Sequence, residues 1–414
     1  MSTSYELLVG IDWATEAHQV CVLTPEGAVF LERTVEHNAA AIHAFLEALL
    51  AHVGGRAEAV AVGIEVPQGA LVETLLERGL YVYALNPKQL DRFRDRHSVA
   101  GAKDDRLDAY VLADALRTDL HKFRRVSLDH PLVIQIRELS RADEDLRGEA
   151  NRLTNRLREQ LYRWLPHVLA LSPSADEPWF WDLVERLARS GPVRLQRRQA
   201  EALLRRHRIR RLTADDVLAT LAAERMKIAP GAAEAARTHI RLLLPRLRVV
   251  HEQRKGCAKQ LGSLLDEYAA EEDEEREGAP SDVELLRSLP GVGPTVTATL
   301  LAEAASLIGE RDYAALRALA GLAPVTKRSG KSRVVLMRYG CNTRLRNAFY
   351  HWARTSVQHD EAARTYYAAL RARGHSHGRA LRSVADRWLR ILMAMLNSRT
   401  MYNPYHQRHT RAAA

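Results

Sequence analysis

At 414 residues the chain is too long for one ordinary core and is read as two or three domains. With 46% hydrophobic and 27% charged residues it has the composition of a folded chain, not a disordered one, and no run of ~18 apolar residues that would span a membrane. The net charge of +10 is uneven: residues 325–414 hold 18 Lys+Arg against Asp360, Glu361 and Asp386, a local net of +15 that leaves −5 for the rest, and such asymmetry suggests a polyanion partner, commonly nucleic acid.

The first ~120 residues alternate strands and helices. LLVGID (7–12), HQVCVLT (18–24) and AVFLERTV (28–35), the last two joined by the turn PEG, read as an antiparallel meander. Residues 39–53 have helical periodicity, 57–66 form a buried strand, 72–80 a second helix, and 81–87 a fifth strand before a basic, irregular stretch. A meander followed by β-α units describes a ribonuclease H-like α/β fold. From Pro131 the period changes. Leu139, Leu146, Leu153 and Ala150, Leu157, Trp164 recur every seventh residue, as do Ile240, Leu247, Leu261 and Leu243, Val250, Leu264, with Pro245 expected to kink the second stretch. Two long helices are therefore expected to pair as an antiparallel coiled-coil arm, within the chain or across a dimer, around a Pro-interrupted helical segment (166–230) that contains RRHRIRRL. Residues 281–400 read as helical with a loop-rich insertion at 321–342. The predicted domains are 1–125, α/β; 126–280, long helices with a helical insert; and 281–414, all-α with a helix-hairpin-helix.

Cys21, Cys257 and Cys341 lie far apart without a CxxC pair, which argues against a disulfide framework or zinc site. The start, MSTSYELLVGID, lacks the basic flank and apolar stretch of a secretory signal, and a cytoplasmic protein is expected.

Asp12 ends the first strand, Glu65 sits near the end of a central buried strand, and Asp105 and Asp108 open a helix. Helical residues three apart share a face, so Asp105 and Asp108 can aim at one point, with Asp104 as the alternative to Asp105. Acids ending apolar strands are costly to bury unless paired or coordinating a cation. Divalent metal would relieve the repulsion among four converging carboxylates, and two Mg²⁺ ions could activate an in-line attack on a phosphate. The plain alternatives are turn acids and helix N-terminal acids.

LLRSLPGVGPTVTATLLAE (285–303) reads as helix, glycine hairpin, helix, with Gly291 and Gly293 in the turn and Pro294 starting the second helix. Backbone N–H groups at such a turn can hold a DNA phosphate. Ser329 follows in a loop beside Gly330, flanked by Lys327, Arg328, Lys331 and Arg333. Cations there would lower the cost of a serine alkoxide and hold the phosphate it attacks, and Ser332 is an equal candidate. Arg338, Arg344 and Arg346 extend the expected nucleic-acid-binding set.

VGIDWATEAHQVCVL, GIEV and NPKQLDRFRDRHSVAGAKDDRLDAYVLAD resemble the RuvC-like domain of DEDD transposases from the bacterial insertion-sequence family usually called "IS one-ten", which includes the Piv-type DNA invertases. SLPGVGPTVTATLLAE and LAGLAPVTKRSGKSRVV with NTRLRNAFYHWA resemble that family's C-terminal transposase domain. The likeness covers nearly the whole chain. It implies an acidic tetrad at Asp12, Glu65, Asp105 and Asp108 and a nucleophile at Ser329, which would cut DNA and exchange strands through phosphoserine linkages. It further implies a non-coding bridge RNA that pairs with donor and target DNA. The implied assembly is a homodimer or dimer of dimers whose active site joins one molecule's RuvC-like domain to another's serine domain. The chain is longer than compact family members, with the extra material placed at 166–230.

Two other functions are compatible with these residues. A RuvC-like nuclease for branched DNA would use water as the nucleophile and keep cleavage without Ser329. A non-catalytic nucleic-acid-binding protein would tolerate loss of Asp12 and Glu65. An invertase differs from a transposase only in biological output.

Overall fold

The computed structural model describes residues 5–67, 69–97, 104–126, 129–190, 195–224, 226–229, 231–275, 278–330 and 332–404. The chain divides into two compact units, Met1–Asp129 and His130–Ala414.

The first unit is a mixed sheet with helices on both faces. Strands β1 (Leu7–Asp12), β2 (Ala17–Leu23) and β3 (Val29–Glu36) form the expected antiparallel meander. After α1 (Ala39–His52), β4 (Val60–Ile64) adds parallel to the other side of β1. Beyond α2 (Ala70–Glu77), β5 (Tyr81–Ala84) continues parallel to β4, giving the order β3-β2-β1-β4-β5 with the two-residue strand β6 (Arg124–Arg125) antiparallel at the edge. The stretch expected to be irregular after β5 instead contains a helix, α3 (Pro87–Arg94). α4 (Asp105–Asp119) follows. Ile42, Phe45, Leu46, Leu71 and Leu75 from α1 and α2 fill the core on one sheet face, while Val111, Leu112, Ala115 and Leu116 of α4 cover the other.

The second unit is mostly helical. α5 (Pro131–Trp164) and α9 (Ala232–Glu275) pack against each other within the chain, and the ion pairs His130–Glu271, Asp143–Arg254 and Glu149–Arg246 climb one helix as they descend the other, so the pair is antiparallel. Their contact is not one continuous apolar seam. Leu153, Leu157 and Leu161 meet Ile240, Leu243 and Leu247 in one core, and Ile136 joins Leu261 and Leu265 in another. Among the described residues, no hydrophobic side chain is fully buried between Ile136 and Leu153 or between Val250 and Leu261. Pro245 lies inside α9, which runs on through it without interruption. The first core also holds α6 (Pro178–Ser190), α7 (Arg197–Arg206) and α8 (Ala214–Ala222), which make up the helical insert.

The second core gathers α10 (Asp282–Ser288), α11 (Pro294–Gly309), α12 (Tyr313–Leu319), α13 (Thr343–His359), α14 (Glu361–Ala372) and α15 (His377–Ser398) around the stacked Trp352 and Trp388. Helical geometry breaks in α11 at Ala304 (φ −147, ψ 17), and beside the break the Arg137 guanidinium donates to the Ala302 carbonyl at 2.6 Å. The region expected to be a loop at 321–342 contains a β-hairpin, β7 (Val325–Ser329) with β8 (Ser332–Leu336). No helix among the described residues is long and apolar enough to cross a membrane.

Candidate active site

Strand alternation determines where the acids point. Along β1, Leu7, Val9 and Ile11 enter the core under α1 and α2, whereas Leu8 enters the core under α4. Gly10 and Asp12 therefore belong to the α4 face. β4 repeats the arrangement: Val60, Val62 and Ile64 enter the core under α1 and α2 and Ala61 the core under α4, which assigns Gly63 to the α4 face, with Glu65 just past the end of the strand. The parallel register sets Val9 beside Val62, Gly10 beside Gly63 and Ile11 beside Ile64. The paired register ends there, and Asp12 and Glu65 are the next residues along the two segments. Each acid follows the same tripeptide, Val-Gly-Ile, in two neighbouring strands of the sheet, a repeat that the sequence carries but that sequence reading missed.

The glycines let α4 approach closely. A Cβ on Gly10 would lie 1.9 Å from the Ala109 carbonyl oxygen and 2.6 Å from the Ala113 nitrogen, and one on Gly63 would lie 3.2 Å from the Leu112 carbonyl oxygen. The inward face of α4 thus contains Ala109, Leu112, Ala113 and Leu116, and helical spacing continues that face back to Asp105 and Asp108. Asp104 is the N-cap, its carboxylate accepting from the Arg106 backbone N–H at 3.1 Å. Asp105 is exposed, while the Asp108 side chain retains only 3% exposure.

Asp108 has a partner that sequence reading missed. Arg94, the last residue of α3, donates its Nε–H to Asp108 Oδ1 at 2.6 Å and an Nη–H to Asp91 at 3.0 Å. The hydrogen bond to Asp108, opposed by desolvation and reinforced by both carboxylate charges, holds the Arg94 pKa above its ordinary value. Among the described residues, no group of three or more His, Cys, Asp or Glu is gathered closely enough to hold a metal ion. The donors themselves suit one: four carboxylates are the hard oxygen ligands that Mg²⁺ prefers, and the buried Asp108 is matched here by a cationic side chain.

A second contact also escaped sequence reading. His18, fully buried in β2, accepts the Ala14 backbone N–H at Nδ1 (3.3 Å), so its Nε2 carries the proton and donates to His37 Nδ1 at 2.8 Å. This fixes the turn that follows Asp12. Burial, and then the neighbouring His37, lower the His18 pKa from 6.5. Asp114, also buried on α4, is matched by Arg117 at 2.6 Å and His97 at 3.1 Å.

In the second unit, Ser329 ends β7 and pairs with Ser332 across a turn in which Gly330 has φ +53. Every described residue from Thr326 to Leu336 is exposed. The register pairs Lys327 with Val334 and Arg328 with Arg333. Alternation then puts Lys327 on the face of Ser329 and Ser332, and Arg328 and Arg333 on the opposite face. Of the cations that flank Ser329 in sequence, Lys327 thus shares its face and Arg328 and Arg333 do not; Lys331 lies outside the described residues. Arg338 donates to the Ala323 carbonyl at 3.2 Å, and Arg344 pairs with Glu144 at 3.2 Å, so both are already engaged within the chain. Arg346 lies 3.9 Å from the Cys341 sulfur. The turn between α10 and α11 has Gly291 at φ +83, where a Cβ would lie 2.8 Å from the Ser356 nitrogen of α13. That close approach accounts for glycine there, while Gly293, the N-cap of α11, has open space around it.

Residues 9–166 match the DEDD transposase family of IS110 elements, and residues 283–368 match the family described as "Transposase IS116/IS110/IS902 family". A Streptomyces coelicolor protein named for the mini-circle element IS117 is 31% identical over 427 residues, covering 97% of this chain and 96% of the relative. The insertion element IS110 protein of the same organism is 31% identical, covering 96% of this chain and 95% of its own. The Sinorhizobium fredii protein y4uE, named as a transposase, is 42% identical over 244 residues, 58% of this chain and 66% of the relative. The chain belongs to the IS110/IS116/IS902 family of transposases, enzymes that cleave and transfer DNA strands.

Proposed function

We propose that this transposase cuts and rejoins DNA by phosphoryl transfer in which Asp12, Glu65, Asp105 and Asp108 hold two Mg²⁺ ions and Ser329 is the nucleophile. The observation that supports the reading is the register of Val9-Gly10-Ile11 against Val62-Gly63-Ile64, with α4 close over both glycines and an acid next in sequence after each isoleucine. The sheet order, meander first and parallel strands after, supports a RuvC-like fold for the first unit. When bound, the ions would polarise the scissile phosphate and offset charge on the attacking and leaving oxygens.

The chain's own residues supply the remaining steps. Ser329 loses its hydroxyl proton as Oγ bonds to phosphorus, the bond from phosphorus to a sugar oxygen breaks, and that oxygen leaves as a protonated hydroxyl. The resulting phosphoserine ester is resolved by the reverse exchange with a hydroxyl of another strand, which returns the serine. Lys327, on the serine's face, offsets phosphate charge. Arg328 and Arg333 on the opposite face, with Lys331, Arg346 and the turn at Gly291 and Gly293, hold the nucleic-acid backbone, and Arg338 and Arg344 would join them only by giving up their partners within the chain. Ser332 is the second candidate because it stands directly across from Ser329 on the same face. The family resemblance further supports a bridge RNA that selects donor and target, and a homodimer or dimer of dimers.

Divalent binding tests the acidic set. Full-length protein titrated with Mn²⁺ and followed by electron paramagnetic resonance is expected to bind the ion, and Asp12→Asn and Glu65→Gln each to weaken binding by at least roughly tenfold while the protein stays folded. Unchanged Mn²⁺ affinity in both variants would overturn the assignment.

A further inference from the structure

The arginine-rich run that closes α7 has no role in the chemistry above. α7 ends at Arg206, and the chain reverses through His207 and Arg208: the His207 N–H donates to Leu203, the Arg208 N–H to Arg205 and the Ile209 N–H to Leu204. Arg208 has φ +55, the left-handed conformation that this kind of helix end ordinarily gives to glycine.

Arginine recurs at this unfavourable backbone setting. Among the described residues, four non-glycine positions have positive φ: Ala175, Arg208, Arg311 and Arg399. Arg311 and Arg399 both use the conformation to reach the buried carboxylate of Asp282, Arg311 at 3.2 Å. Each of these two side chains therefore returns an ion pair for its backbone strain. The Arg208 side chain is exposed and has no hydrogen bond or ion pair among the described residues, and the same holds for Arg205 and Arg210 beside it. Helix-end electrostatics do not require a cation at 208, since Arg205 and Arg206 already occupy the last turn.

We propose that Arg205, Arg208 and Arg210 form a phosphate-binding surface for the backbone of double-stranded DNA, separate from the residues assigned to strand cleavage. Exposed guanidinium groups without internal acids are suited to phosphate oxygens. The occupant is duplex because residues 195–224 contain no Phe, Tyr or Trp on which single-stranded bases could stack. It is DNA because the chain is a transposase, whose substrate is DNA. The helical insert would thus hold flanking duplex and lengthen the protein's footprint.

The test uses the full chain and a labelled duplex of random sequence, about 40 base pairs long, with affinity measured across a salt series. Arg205→Glu, Arg208→Glu and Arg210→Glu together are expected to weaken duplex-DNA binding at least roughly tenfold and to lower the salt-dependence slope by about two to three. Arg208→Gly alone separates fold from function: relief of the left-handed strain should leave its melting temperature at or above that of the parent while duplex affinity falls about two- to fivefold. Unchanged affinity and slope in the triple variant would overturn the proposal. So would a loss confined to duplex RNA or to single-stranded DNA, or an Arg208→Gly protein that melts lower than the parent, since Arg208 would then serve the fold.

Discussion

A carboxylate enclosed as fully as Asp108 must be neutralised, and in this chain Arg94 does so. If Asp108 also ligates divalent metal, the guanidinium and the ion compete for the same oxygens. Arg94→Gln is therefore expected to destabilise the metal-free protein by about 1–3 kcal/mol in urea unfolding, because it leaves a buried charge without its partner. Saturating Mg²⁺ should remove much of that loss. An equal loss with and without Mg²⁺ would show that Asp108 takes no part in ion binding. His18 sets a pH dependence at the same scale. Its pKa lies below 6.5 in the folded chain, so the unfolded chain binds the extra proton first. The contribution of neutral His18 is complete above about pH 6.5 and is lost as pH falls through the lower folded value. Thermal melting between about pH 7.5 and pH 5.5 should accordingly fall more steeply for the parent than for His18→Gln. Parallel declines in the two proteins would contradict the assignment.

At the level of elements, the close contact of α4 with β1 and β4 depends on two missing side chains. Gly10→Ala is expected to cost about 1–3 kcal/mol in urea unfolding, because the added carbon meets helix backbone that cannot step aside. Gly63→Ala should cost less, since its neighbours include the end of the Leu116 side chain and stand farther off. The reverse order would contradict the packing described. Elements with a strong apolar period were legible in the sequence: the meander, α1, β4 and both long helices. α3 was not, because PKQLDRFR offers only Leu90 and Phe93 to the core amid charged residues. The β7–β8 hairpin was hidden because Gly330 sits among serines and cations that read as loop, and its exposed strands show no buried face.

Across the whole molecule, the acids stand out as candidates in the sequence because a carboxylate beside an apolar strand is costly to bury unless it is paired. What surrounds each one does not. Arg94 lies fourteen residues from Asp108, and only the fold brings them together. Likewise, which cations share a face with Ser329 follows from strand register, not from adjacency in the chain. The long helices show the same limit: their heptads were visible, but not that the apolar contact would fall into two separate cores with ion pairs between them. Chemistry that draws on both units requires the acids and the serine to act on the same phosphate. The most direct measurement is a denaturing gel of the full chain mixed with end-labelled DNA, the bridge RNA proposed for it, and Mg²⁺. A covalent protein–DNA band should form with the parent and with Ser332→Ala, and be lost in Ser329→Ala and in Asp12→Asn. Persistence of that band in Ser329→Ala, or its full formation in Asp12→Asn, would contradict the account.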